Sequence, residues 1–369
     1  MKKKGTIIKY LLLLTVLTVT IGTFSGCTGG TRTLGWSGIT FSGDALYLGT
    51  ENGNLVALNL ENGNPKYEVT IEGDSEAASC SAALVASVYG TPYISGDLII
   101  VTSNSGKVHA FNKDSGNIVW AYPGNEFLGE IIGGVAVLDD TLFFTSGDGV
   151  LYALDIANGN EKWKFETGDK VWSTPIVDGD AVFFGSFDNN FYAIDASTGQ
   201  ERWRFVANGP IASEALLVGD TIYIGDLNRS LYALNMSDGS SKWQFEGEGW
   251  FWTRPVEHGG NIYAANVDGT VYVVDAVSGS EVAHYTIGET ITSSPAVYQD
   301  SIAVASREGQ IYVIDGISGE LRSVTDLQLQ IDAPLAFKDG IIYVHTQEDE
   351  TVYALDPETR LVIWKNNTL

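Results

Sequence analysis

Apolar and polar positions follow one pattern that this chain writes eight times. In its clearest copy, ALDIANGNEKW from Ala153 to Trp163, a small residue is followed by Asp or Asn, then a Gly turn, then Trp. The small position falls at Ala57, Ala110, Ala153, Ala193, Ala233, Val273, Val313 and Ala354. The step settles at about 40 residues after a longer first interval, which suits four short strands and their turns, one blade of a propeller.

Within each repeat the apolar runs place the strands. TPIVDGDAVFFGS, Thr174 to Ser186, and SPAVYQDSIAVAS, Ser294 to Ser306, read as strand, tight turn, strand. A Tyr-rich run such as LYALD or VYVVD supplies the third strand, and the Trp-bearing run, KWKF or RWRF, the fourth. Consecutive apolar positions rich in Tyr, Val, Ile and Phe fit strands buried on two faces, as between stacked blades. The expected fold is all-β, an eight-bladed β-propeller with four antiparallel strands per blade. Its blades begin near Leu34, Ser87, Glu130, Lys170, Pro210, Trp250, Thr290 and Gln330. No clear spare strand stands at either terminus, so closure is expected from face packing of the first and last blades, with pairing of the terminal strands as the alternative. The polar stretch from Thr70 to Ser87 falls outside the repeat and reads as an extended loop.

Two columns of the repeat carry structural information. The Trp column reads Tyr67, Trp120, Trp163, Trp203, Trp243, Ala283, Ser323 and Trp364, and where blades six and seven lose the ring the small residue grows to Val273 and Val313. That exchange of volume predicts that Trp120, Trp163, Trp203, Trp243 and Trp364 each dock over the small residue of their own blade. Docking on the next blade fits less well, because Trp243 would meet Val273. The Asp or Asn column precedes each turn at a distance suited to Asx-type capping. One carboxylate per blade does not make a calcium site, and no metal site is expected.

The first residues carry Lys2, Lys3, Lys4 and Lys9 before an apolar stretch that ends in Ser25, Gly26 and Cys27, an export signal. The ending resembles the lipobox of bacterial lipoproteins, in which the Cys is acylated and becomes the N-terminus. Residues 1–26 are therefore expected to be a signal peptide, Cys27 the lipidation site, 27–33 a short linker and 34–369 the propeller. Both lipidation and an uncleaved anchor place the bulk of the chain outside the cytoplasm. The chain carries 21 Lys and Arg against 46 Asp and Glu, and a net charge of −25. Such a surface repels phosphate backbones, so nucleic acid is not an expected partner. Cys80 alone remains after Cys27 is acylated, which excludes a disulfide within the mature chain.

The unit A-x-D-x-x-x-G-x-x-x-W resembles the tryptophan-docking repeat of the quinoprotein-type eight-bladed propellers, from Leu34 to the C-terminus. Two groups share it: pyrroloquinoline quinone dehydrogenases, and lipid-anchored propellers similar to BamB that assist outer-membrane protein assembly. The dehydrogenase resemblance implies a quinone in the channel, a calcium ion, an Asp base and often paired Cys residues, and none of these can be placed on this chain. His109, His258, His284 and His345 have no ligand spacing, and no Ser, His and Asp constellation stands out. A lipobox followed closely by a propeller looks like the BamB group.

The residue opening each inner strand reads Trp36, Tyr89, Ile132, Trp172, Ala212, Trp252, Thr292 and Ile331. Large aromatics at a channel mouth offer amphipathic contact area, so Trp36, Tyr89, Trp172 and Trp252 are candidate binding residues. Two residues further in stand Glu214 and Arg254, in adjacent blades and of opposite charge, expected to pair with each other and, as the second reading, candidates for binding a small polar ligand between them. The expectation is a non-catalytic, monomeric lipoprotein propeller that binds a protein partner at the cell envelope without a cofactor. The alternatives are a quinone-dependent oxidoreductase and a sensor of a small ligand or sugar.

Overall fold

The computed structural model describes residues 36–71 and 86–368. Residues 1–35, on which the expected signal peptide, lipidated Cys27 and linker fall, and residues 72–85, with Cys80, lie outside the described residues. Strands form eight four-stranded antiparallel sheets, each made of four consecutive strands. Blade four is representative: Ile176–Asp178 innermost, then Ala181–Gly185, Asn190–Asp195 and, at the perimeter, Glu201–Val206. Its second strand is buried throughout and its third nearly so, whereas the outer strand alternates exposed and half-buried. This is the pattern expected of blades stacked face to face, with only the perimeter meeting water.

The core therefore sits between blades rather than on the ring axis. One cluster joins Phe183 and Phe191 of blade four to Ile222, Tyr232 and Leu234 of blade five. Another closes the ring, packing Leu46, Leu48, Val56 and Leu58 of blade one against Tyr343, Val352 and Ala354 of blade eight. No strand is exchanged at the seam among the described residues; closure rests on face packing, as the repeat pattern implies. A buried clasp adds to it. The Glu350 carboxylate accepts the Glu51 backbone N–H at 2.8 Å and faces His345 Nε2 at 2.9 Å, while His345 Nδ1 lies 3.1 Å from the Ser37 carbonyl.

The Trp residues span both expectations for docking. Within each sheet the Trp lies opposite the small residue of its own blade, as in Ala153 with Trp163 and Ala193 with Trp203. Its indole N–H, however, crosses to the next blade. Trp120 donates to Ile156 O at 2.9 Å, Trp163 to Ala196 O, Trp203 to Met236 O and Trp364 to Leu60 O at 3.1 Å, and Trp243 to Ala276 O at 3.0 Å. The indole thus docks on the next blade, contrary to the expectation from Val273. The ring seats on the neighbour's turn and never meets the neighbour's small residue, so Val273 is no obstacle to Trp243.

The blades without Trp keep the tether by other means. Tyr67 Oη–H donates to Lys113 O at 2.8 Å, Tyr285 Oη–H to Gly319 O at 3.0 Å, and Arg322 Nη1–H to Pro357 O at 3.4 Å. Blade seven also departs from the expected pairing: its bulge falls earlier, so Val313 lies opposite Arg322 and Ser323 opposite Tyr312. Side chains of the Asp or Asn column cap the following turn in seven blades; Asp275 Oδ1, for example, accepts from Val277 N at 3.2 Å and Ser278 N at 2.7 Å. Asn235 is the exception, bonding through Nδ2 to Ser240 Oγ.

Candidate functional site at the channel mouth

The segment entering each inner strand turns toward the ring axis, and eight such segments line one mouth of the channel. The lining places Trp36, Tyr89, Ile132, Trp172, Ala212, Trp252, Thr292 and Asp332 in one tier, with Thr91, Gly134, Thr174, Glu214, Arg254, Ser294 and Pro334 beneath. The eighth member is thus Asp332, not Ile331, which is fully buried. Blade eight carries one additional residue after its inner strand, between the second and third, so the small column steps by 41 there while the channel columns keep a step of 40.

The four candidate aromatics form two clusters. Trp36 and Tyr89 meet edge to face, with ring centres 4.4 Å apart. Trp172 meets Trp252 at 6.3 Å and Phe187 at 4.8 Å, again edge to face. All four main rings are half-buried, fixed on one side and open on the other. Trp172 is held further by its indole N–H, 3.2 Å from Glu130 Oε1, and by Lys170 Nζ, 3.8 Å from its ring centre. An ammonium over an indole is attracted by the ring quadrupole. Rigid rings of this kind offer contact area at little entropic cost.

Charges in the mouth are paired. Arg254 Nε lies 3.2 Å from Glu214 Oε1, and its backbone N–H donates to Ser294 Oγ at 3.1 Å. Burial pushes the Glu214 carboxyl above the ordinary carboxylate range, and Arg254 opposes the shift. In the next two blades round the ring, Asp332 accepts from Thr292 Oγ1 at 2.6 Å and lies 3.2 Å from Arg307 Nε. Burial, with the Glu51 and Asp332 charges nearby, pushes the Tyr89 hydroxyl up to about 12. At neutral pH it is therefore a hydrogen-bonding group and not a base.

No three His, Cys, Asp or Glu side chains among the described residues converge as metal ligands. The four His are dispersed: His109 is buried beside Phe111, with burial lowering its pKa to about 4; His258 ends the inner strand of blade six; His284 pairs on the surface with Glu281; His345 belongs to the seam. The seam clasp was missed in the sequence; its one signal is the run of titratable residues His345, Asp349 and Glu350 beside the extra residue of blade eight.

A family profile described as "Beta-alanine-activating enzyme, beta-propeller" matches residues 94–369. The chain belongs to this β-propeller family. A second profile, "Outer membrane protein assembly factor BamB", matches residues 28–131. The repeats are of the PQQ-like type and similar to those of BamB. The chain is 27% identical over 132 residues to the outer membrane protein assembly factor BamB of Shewanella oneidensis, covering 35% of this chain and 30% of that protein. It is 37% identical over 72 residues to the quinoprotein ethanol dehydrogenase of Pseudomonas aeruginosa, covering 20% of this chain and 11% of that one. These matches span a third or less of the curated relatives. Among solved structures, BamB from Moraxella catarrhalis superposes with a TM-score of 0.71 at 16% identity, over 84% of this chain and 93% of that one. The computationally designed protein Ika8 superposes at 0.74 and 18% identity, over 88% and 96%. Both likenesses concern the fold alone, and a designed ring in the set shows how little the fold says about function.

Proposed function

We propose that this chain is a non-catalytic binding scaffold of the cell envelope, held by acylated Cys27 after loss of residues 1–26, whose channel mouth takes a protein partner. The observation that carries the reading is the mouth itself: two fixed clusters, Trp36 with Tyr89 and Trp172 with Trp252, around charges already paired to one another. Aromatic anchors in a water-excluding rim are what hot spots of protein interfaces are made of. The partial likeness to BamB supports an assembly or interaction role.

A quinone-dependent enzyme fits this mouth less well. A flat tricyclic quinone stacks between parallel planes, whereas the aromatic pairs here cross at 86° and 74°. The test is to combine Trp172→Ala with Trp252→Ala. The expected result is an unchanged far-ultraviolet circular dichroism spectrum and loss of the partners crosslinked to wild type in the envelope. Dye reduction by the purified protein with pyrroloquinoline quinone, calcium and an alcohol would overturn the non-catalytic reading.

A further inference from the structure

At the end of the ring away from the mouth, where the first and second strands of each blade are joined, four blades carry a charged brace. Lys66 reaches Asp44 at 2.5 Å, Lys162 reaches Asp140 at 2.7 Å, Arg202 reaches Asp180 at 2.6 Å and Lys242 reaches Asp220 at 2.8 Å. Each cation stands on a perimeter strand, and charged side chains there, Lys above all, discourage pairing with a foreign strand. Blades six and eight lack both halves of the brace, with Gly260 and Gly340 at the Asp position and Val282 and Ile363 at the Lys position; blade six still carries a Glu281–His284 pair at 2.8 Å on its perimeter strand.

The perimeter strand of blade eight, Leu361–Asn367, is also the longest of the eight. It opens with Leu361, Val362 and Ile363, which are 64%, 46% and 50% exposed. Its only neighbouring strand among the described residues is Thr351–Asp356, so no described strand pairs with the outward edge of its apolar opening, Leu361 to Ile363. The apolar opening run lacks the charged brace and is the part of this edge that can template strand pairing, while the register shifts at Ile363 and Lys365 stands further along.

The charges beside the run select the occupant. Arg360 and Lys365 flank it and are exposed. Were two copies to pair antiparallel across the apolar run, Arg360 would stand at or beside Lys365 of the other copy, a like-charge contact that opposes pairing. A strand bearing carboxylates meets the same cations with attraction. The net charge of the whole chain acts weakly at this range, being screened over about 8 Å in physiological salt.

We propose that the outer strand of blade eight is a strand-addition site for an extended partner segment that alternates apolar and acidic residues. It lies apart from the channel mouth and stands independently of the function proposed there. The probe is a short fluorescent peptide alternating Glu and Val, compared with the same peptide N-methylated at alternate residues so that it cannot complete the ladder. Wild type is expected to bind the first and not the second, with amide protons of 361–367 protected from exchange. Combining Val362→Glu with Ile363→Lys writes into blade eight the pair that blade three carries as Glu161 and Lys162, without changing net charge. This variant is expected to bind about tenfold more weakly at an unchanged melting temperature. Trp172→Ala with Trp252→Ala should leave peptide binding untouched, which separates this site from the mouth. The proposal is overturned if wild type does not bind, if the methylated peptide or the Glu-Lys variant binds equally well, or if wild type sediments as a dimer that the variant dissolves.

Discussion

Gly239 is where the docking geometry meets its sharpest test. Its φ is 70°, and a Cβ placed on it would lie 2.4 Å from Cε3 of Trp203 and 2.8 Å from Cδ2 and Cζ3. The ring has little room to retreat, since its N–H is bonded to Met236 O and its faces meet Phe183 and Phe191 at 5.8 and 6.2 Å. Gly239→Ala should therefore carry two penalties: about 1 to 2 kcal/mol for a Cβ in the left-handed region, and about 1 to 3 kcal/mol for overpacking. Gly179 provides the control, with a φ of 58° and open space around it, so Gly179→Ala should show the backbone penalty alone. Trp203→Ala should cost about 3 to 5 kcal/mol. In that background the clash is gone, and adding Gly239→Ala should cost only the backbone part, giving a coupling of about 1 to 3 kcal/mol. Denaturant unfolding of the four proteins in the cycle, with m-values compared, measures it. Additivity to within about 0.5 kcal/mol would refute the docking account. Nature has run a related experiment in blade eight, where Arg360 replaces the Gly with φ 62° and no Trp of blade seven arrives to dock.

Other outcomes follow from the seam, the turns and the leader. Glu350→Ala should destabilise by about 3 to 5 kcal/mol, because it strips acceptors from His345 and the Glu51 N–H in a buried site; thermal unfolding and amide exchange at the blade one–blade eight seam check it, and a loss no larger than for Glu281→Ala at the exposed His284 pair would count against the clasp. Asp275, Asp315 and Asp356 are held below the ordinary carboxylate range chiefly by backbone N–H bonds from Ser278, Ser318 and Thr359. Since the folded values are the lower ones, that support is complete above about pH 4 and is lost as pH falls through them. Exchange of the Ser278 amide should thus respond to acid more than that of Ser115, capped by the non-titrating Asn112 side chain; equal responses would contradict the assignment. Cys27→Ser should abolish fatty-acid labelling, and equal labelling of mutant and wild type would end the lipoprotein reading.

Blade number and strand order were legible in the chain because each blade repeats the same small, Asx, Gly and Trp positions, whereas no repeated position reports on how the ring closes. What connects one blade to the next was less so. Trp243 was weighed against Val273, a residue it never meets, because the true seat is the Ala276 carbonyl with Gly279 beneath the ring, and that surface exists only once two blades stack. The channel tier was misread by one place in blade eight, where Ile331 was put at the position that the step of 40 from Thr292 gives to Asp332. The Glu214 and Arg254 pair was legible because the step of 40 makes them neighbours in adjacent blades. The His345 and Glu350 clasp was not, since it joins residues about 300 positions from their partners Ser37 and Glu51.

The central claim, that the mouth binds a protein, is tested most directly by photocrosslinking in the envelope from single positions. A photoreactive residue at position 252, in the mouth, is compared with one at position 157, an exposed turn tip of blade three on the opposite side. The account expects discrete protein adducts from 252, absent when Trp172→Ala is added, and none from 157. Adducts from 157 with none from 252 would contradict it.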